Sequence, residues 1–251
     1  MMVTIISHRG GALLWPENSR LACENTVALG VDQLQVDVHL SRDGEIVVIH
    51  DATLDRTTDG TGAVGACTWS ELSRLRLKET VDERILKLQE VTEIIEPSVL
   101  RLRLELKQDV DGRPYDGFIE RLNMVLHETG FRDRTIVTAF RSETLAAMMP
   151  GQCVAWLIDG QTLAQRGLAA VVDQAIELGF PTIGMRWSAL DPDAANVIRA
   201  SGLYLCCFGC NDSAAIDVTF ALGADEMMTD RPDLALKQRD AWAMPARLRR
   251  D

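Results

Sequence analysis

The sequence predicts an α/β fold, a (β/α)₈ TIM barrel with a small insertion after its second strand region. Short apolar runs of strand length alternate with stretches of helical length along almost the whole chain. Glycines follow the helical stretches, where a left-handed C-terminal cap is wanted, and lead into the next apolar run. Roughly eight such units in a chain of 251 residues suit a closed barrel. An open doubly wound sheet obeys the same alternation, but no G-x-G-x-x-G follows the first strand.

Taken in order, the strand candidates are residues 3–7, 33–40, 46–50, 100–107, 135–138, 154–158, 182–185, 203–207 and 226–229. Helical stretches occupy 18–29, 116–129, 142–149, 163–178, 193–201 and 213–222. Gly30, Gly130, Gly179, Gly202 and Gly223 supply the stops. Residues 52–89 break the rhythm with the turn-rich Asp59-Gly60-Thr61-Gly62 and an amphipathic piece near 69–77. They read as an insertion on a barrel loop, within a single domain spanning 1–251. The basic tail 247–251 reads as a frayed end.

Lys and Arg total 26 against 37 Asp and Glu, a net charge of -11. That balance argues against a nucleic-acid binder, whose affinity comes from neutralising phosphates, but leaves room for one small phosphate ligand. The start of the chain shows no basic leader and no long apolar h-region. No uncharged apolar run reaches the roughly 18 residues of a membrane span. A cytoplasmic protein with six reduced cysteines is therefore expected, without stable membrane insertion. Cys207 and Cys210 form a C-x-x-C pair without a second pair or a nearby His, so they read as buried small residues.

Two strands carry a pattern that needs explaining. Along 34–40 and 100–107, apolar and polar residues alternate strictly, and in the second every polar position is charged. A solvated strand face is the ordinary reading. In a barrel, however, helices cover the outside, so the apolar face must point out to them. Gln35, Asp37, His39, Arg103, Glu105 and Lys107 then point inward, where charges need partners, a metal or a substrate.

Three of the four histidines, His8, His39 and His50, lie in the first fifth of the chain. His8 and His50 each end a strand candidate, where barrel enzymes keep their chemistry. A histidine pair can serve as acid and base near neutral pH. Glu17, Asp37 and Glu105 offer hard oxygen ligands suited to Mg²⁺ or Ca²⁺. Arg9 and Lys107 offer cations for a phosphate. Together these groups point to metal-assisted phosphoester hydrolysis.

The ordered blocks His8-Arg9-Gly10, Pro16-Glu17-Asn18, Asp37, His50-Asp51 with Leu54-Asp55-Arg56-Thr57-Thr58, Glu105-Leu106-Lys107 and Thr229-Asp230-Arg231-Pro232 resemble the glycerophosphodiester phosphodiesterase family. Each block alone is weak, and their order from residue 8 to 232 is specific. The resemblance implies a (β/α)₈ barrel that hydrolyses small-molecule glycerophosphodiesters to sn-glycerol 3-phosphate and an alcohol. It implies that His8 and His50 are the acid/base pair, that Arg9 and Lys107 bind the phosphate, and that Glu17, Asp37 and Glu105 surround a divalent cation. The attacker is either water or the substrate's own glycerol hydroxyl.

One departure stands out. The family has Glu-x-Asp where this chain has Gln35-Val36-Asp37. A Gln35 carbonyl can still ligate a metal but brings no charge, so a weakly held Mg²⁺ or Ca²⁺ is expected. Arg103, if it reaches Gln35 or Asp37, weakens the site further. Two rivals follow: a degenerate barrel that binds phosphodiesters or polyol phosphates without turnover, and a phosphodiesterase acting on lysophospholipids. The paired histidines count against the first. The second wants an apolar surface at the mouth, whereas the Trp69, Leu72 and Leu75 stripe reads as packing on its own barrel. A homo-oligomer is compatible with the sequence.

Overall fold

The computed structural model describes residues 2–148 and 150–243. The predicted basic tail and the last residue of the predicted 142–149 helix lie outside the described residues. Eight parallel strands form the barrel: β1 (Thr4–Ser7), β2 (Gln33–Leu40), β5 (Arg101–Leu106), β6 (Thr135–Ala139), β7 (Cys153–Ile158), β8 (Thr182–Arg186), β9 (Tyr204–Phe208) and β10 (Glu226–Thr229). Pairing of β1 with both β10 and β2 closes the ring. Around it run α1 (Arg20–Leu29), α3 (Leu88–Ile95), α4 (Phe118–Glu128), α5 (Ser142–Ala146), α6 (Gly160–Glu177), α7 (Pro192–Ala200), α8 (Ser213–Ala221) and α9 (Pro232–Ala243).

Local chemistry sets the helix bounds. Asp159, Asp191 and Asp212 accept hydrogen bonds from the N–H groups of Thr162, Ala194 and Ala215 at 2.7, 2.8 and 2.9 Å, capping α6, α7 and α8. Such a cap stabilises a helix by about 1 kcal/mol. The predicted glycine stops all hold, with φ between +67° and +79°. α1 starts two residues later than predicted because Asn18 turns left-handed at φ +56° and Ser19 caps the helix. α3 and α9 fall outside the predicted helical stretches.

One strand candidate is corrected. Residues 46–50 yield only β3 (Ile46–Val48), which pairs antiparallel with the far half of β2 and is not a barrel strand. β1 pairs only with Gln33 and Leu34, so β2 has a free edge beyond them, and β3 takes it at Val38–Leu40. A short β4 (Leu86–Lys87) pairs antiparallel with β3. The intervening insertion, with α2 (Trp69–Leu72), packs a small core of its own: Val47, Ile49, Leu54, Val64, Leu72, Leu77 and Ile85. Trp69 and Leu75 pack against that core, so the stripe is covered by the insertion's own residues and not, as expected, by the barrel.

The inside-out alternation is observed. Leu34, Val36, Val38, Leu102, Leu104 and Leu106 belong to the main apolar core, where each fully buried side chain contributes roughly 1.5–3 kcal/mol. Gln35, Asp37, His39, Arg103 and Glu105 are buried as well. Parallel register sets Gln35 beside Arg103 and Asp37 beside Glu105, which stacks polar groups along the barrel interior.

Candidate active site

The mouth of the barrel gathers the predicted residues. His8 follows β1 directly, in a tight turn through Gly10. Arg9 is held left-handed at φ +51° and ψ +28°. Gly10 has no side chain to spare, because a Cβ there would sit 2.6 Å from the Ala22 Cβ of α1. The turn is fixed from below: the Arg9 N–H donates to Gln35 Oε1 at 2.8 Å, and Gln35 Nε2 donates to Asp37 Oδ1 at 3.1 Å. Asn18 Nδ2 donates to Asp37 Oδ2 at 2.9 Å.

Both histidines are backed by a carboxylate. His8 Nδ1 lies 2.5 Å from Asp230 Oδ1, and Asn211 Nδ2 donates to the other oxygen of Asp230 at 2.5 Å. His50 Nδ1 lies 2.6 Å from Asp51 Oδ1. Arg56, from the insertion, grips Asp51 through Nε at 2.6 Å and Glu17 through Nη2 at 2.7 Å. Burial works to raise the Asp230 pKa, but the His8 hydrogen bond and charge leave it below the ordinary carboxylate value. The Arg56 hydrogen bond, against partial burial, holds Asp51 at about 2. Burial, with Lys107 and Arg9 nearby, lowers the His50 pKa and favours its neutral form.

Asp37, wholly buried, is the hub. Lys107 Nζ stands 3.1 Å from its Oδ1 and also pairs with Glu105 Oε1. Arg9 Nε lies 3.4 Å from its Oδ2. Burial would raise the Asp37 pKa, yet Lys107, both histidines and Arg9 hold it well below the carboxylate range. The reciprocal field of Asp37 and Glu105 raises Lys107 against its own burial.

Glu17, Asp37, Gln35 and Glu105 have the oxygen chemistry a hard dication wants. Each of the three carboxylates is already paired with a cation: Glu17 with Arg9 and Arg56, Asp37 with Lys107 and Arg9, and Glu105 with Lys107. Among the described residues, no three His, Cys, Asp or Glu side chains converge at metal-binding spacing.

One open alternative is decided. Arg103 reaches neither Gln35 nor Asp37. It turns toward the base of the barrel, where Nη2 lies 2.5 Å from Glu226 Oε2 and Nη1 lies 3.5 Å from Cys206 Sγ. Glu226 opens β10, three strands round the ring from β5, and the buried guanidinium takes this carboxylate because both upper ones are already spent on Lys107. Cys207 and Cys210 are buried thiols, as read, and Cys206 is buried too.

Asp51, Asp230, Arg56 and Asn211 were not assigned as site residues from sequence. Asp51 was signalled by its place next to His50, and Asp230 by the strand end before it. Arg56 stood in the block at residues 54–58, though nothing local pointed to its contacts, and Asn211 had no local signal. His39 also gains a role. Burial depresses its pKa to about 4, so it is neutral. Nε2 faces the His50 carbonyl at 3.1 Å and must donate there, so Nδ1 accepts from the Tyr115 hydroxyl at 2.8 Å.

A closed parallel barrel with two carboxylate-backed imidazoles and two cations at its mouth defines a hydrolase of the phosphoester class. The chain belongs to the glycerophosphoryl diester phosphodiesterase family, whose sequence profile matches residues 8–234. It is 28% identical over 238 residues to a glycerophosphodiester phosphodiesterase of Caldanaerobacter subterraneus, covering 93% of this chain and 96% of that one. A crystal structure from Agrobacterium tumefaciens, provisionally assigned as a glycerophosphoryl diester phosphodiesterase, superposes with a TM-score of 0.94 at 30% identity, over 98% of this chain and 100% of the other. A phosphodiesterase of Oleispira antarctica, solved with its product sn-glycerol-3-phosphate, gives a TM-score of 0.84 at 25% identity over 95% and 97% of the two chains.

Proposed function

We propose that the protein hydrolyses glycerophosphodiesters to sn-glycerol 3-phosphate and an alcohol, with His8 and His50 as the acid/base pair. The observation that carries this is the carboxylate on Nδ1 of each imidazole. Such a partner keeps the proton on Nδ1, so Nε2 is left to exchange a proton with substrate. One histidine takes the proton of the attacking oxygen as its bond to phosphorus forms. The other protonates the alkoxide as the second P–O bond breaks. Arg9 and Lys107 bind the phosphate and offset the charge that gathers on it.

Glu17, Asp37 and Glu105, with the Gln35 carbonyl, would hold a Mg²⁺ or Ca²⁺ ion. Such an ion would polarise the phosphoryl oxygens. Binding must exchange existing ion pairs and gains no charge from Gln35, which supports a weak site. No helix among the described residues is long and apolar enough to cross a membrane. Six unpaired cysteines support a reducing, cytoplasmic setting.

The test is release of glycerol 3-phosphate from glycerophosphocholine with Mg²⁺, Ca²⁺, Mn²⁺ or EDTA, beside a His50→Ala control. Release that the variant abolishes is the expected result. No release with any ion, across choline, ethanolamine, glycerol and inositol diesters, would leave a phosphodiester-binding barrel without turnover.

A further inference from the structure

A recess of about 180 Å³ opens beside the catalytic cluster, and Glu105 and Lys107 line it. These two residues also form the ion-pair network around Asp37, so the recess adjoins that network. Its remaining wall is mostly carbon, including the rings of Tyr115, Phe118 and Phe140. We propose that this recess receives the departing alcohol and selects one that carries a quaternary ammonium group. The proposal rests on the phosphodiesterase reading above and extends it to the substrate's headgroup.

Three arguments point the same way. First, the walls are built in advance. The Tyr115 hydroxyl is tied to His39, and its ring meets Phe118 edge to face at 5.7 Å and 90°. Phe140 meets Phe208 edge to face at 6.3 Å, and its carbonyl accepts from Trp156 Nε1 at 3.0 Å. Fixed walls reduce the ordering cost of binding.

Second, the wall offers a polyol few partners. The Tyr115 hydroxyl is already engaged by His39, and beyond the Glu105–Lys107 pair polar side chains come from Gln108, Arg141 and Thr144 alone, so a glycerol or inositol headgroup would set some of its hydroxyls against carbon. Third, a methylated ammonium presents carbon to the rings and positive charge to their π faces, as in aromatic cages for choline-like groups. The Glu105 carboxylate shares the recess, and the one unpaired cation on its lining, Arg141, is exposed to water.

The experiment compares kcat/KM for glycerophosphocholine, glycerophosphoglycerol and glycerophosphoinositol in the wild type and in Phe140→Leu, which keeps an apolar side chain and removes the ring. The choline diester is expected to lead by about tenfold, and the variant to lose that lead through KM. An equal rate constant for all three diesters, or an equal loss on each in Phe140→Leu, overturns the proposal. If the wild type turns over no diester, the phosphodiesterase reading fails separately. Calorimetry with tetramethylammonium then judges the recess alone: binding weakened about tenfold in Phe140→Leu supports it, and unchanged or absent binding overturns it.

Discussion

Asp230 Oδ1 lies 2.5 Å from His8 Nδ1, although 222 residues separate the two in sequence. Barrel closure makes the contact, since β1 and β10 are neighbours and each residue follows the end of its strand. Asn211 completes it by holding the second carboxylate oxygen and accepting from the Asp230 N–H at 2.8 Å. Asp230→Asn keeps the shape and removes the charge that stabilises an imidazolium. A loss of at least about 100-fold in kcat, with KM little changed, is expected by analogy with triad carboxylates. Steady-state kinetics on the choline diester check it, and a change confined to KM would remove Asp230 from the acid/base machinery.

His50 differs from His8 in its surroundings, because burial and the Lys107 and Arg9 cations favour its neutral form. The acid limb of kcat/KM governed by neutral His50 therefore falls below its ordinary value of 6.5. Asp51 pulls the other way, since its hydrogen bond favours the charged imidazole. Asp51→Asn is expected to move that limb to still lower pH while reducing kcat. A limb that moves upward in the variant contradicts the assignment.

How much of this was legible in sequence depends on how far each signal reaches along the chain. The β2 and β5 alternation marked Gln35, Asp37, Glu105 and Lys107 because side-chain direction has period two and only one face could meet the helices. His50 was placed at the end of a barrel strand, and the structure gives that position another origin. The run before it is not a barrel strand but an antiparallel graft on β2, and pattern cannot tell pairing direction. The partner of Arg103 stayed open because its choice between Asp37 and Glu226 is made across the ring, by which carboxylate is still uncommitted. The Arg56 bridge depends on how the insertion folds back, and nothing local encodes that.

His39 predicts a specific acid weakness. Its folded pKa of about 4 lies below the ordinary 6.5, so the unfolded chain takes up a proton first. Stability is full above pH 6.5 and falls as pH drops toward 4, by on the order of 3 kcal/mol at about 1.4 kcal/mol per pH unit. Urea unfolding at pH 7.5, 6, 5 and 4 (chosen to bracket the window) measures this. His39→Gln, which cannot titrate, is expected to flatten the slope at some cost in stability at neutral pH. An unchanged slope assigns the acid sensitivity elsewhere.

The Arg103–Glu226 pair is structural, with the guanidinium fully buried at 2.5 Å from the carboxylate. Glu226→Gln leaves that charge poorly compensated and is expected to destabilise by about 3–5 kcal/mol. Arg103→Met with Glu226→Leu removes both charges and recovers most of the loss. Chemical denaturation of the singles and the double checks this, and additive losses would mean that the pair is not coupled.

Gln35 gives the sharpest test of metal affinity. Its amide does two jobs that a carboxylate cannot combine: the oxygen accepts from the Arg9 N–H, and the nitrogen donates to Asp37. In Gln35→Glu the second contact becomes two carboxylate oxygens at a hydrogen-bond distance, and a shared proton or a bound dication relieves their repulsion. The variant is therefore expected to be less stable than wild type in EDTA, by about 1–3 kcal/mol. It should recover with Ca²⁺ or Mg²⁺ and bind that ion about tenfold or more tightly, since a charged ligand replaces a neutral one. Calorimetry and thermal unfolding read both effects without relying on turnover. Submicromolar binding by the wild type would falsify the weak site, because it would mean that a dication displaces Lys107 and Arg9 from Asp37 at little cost.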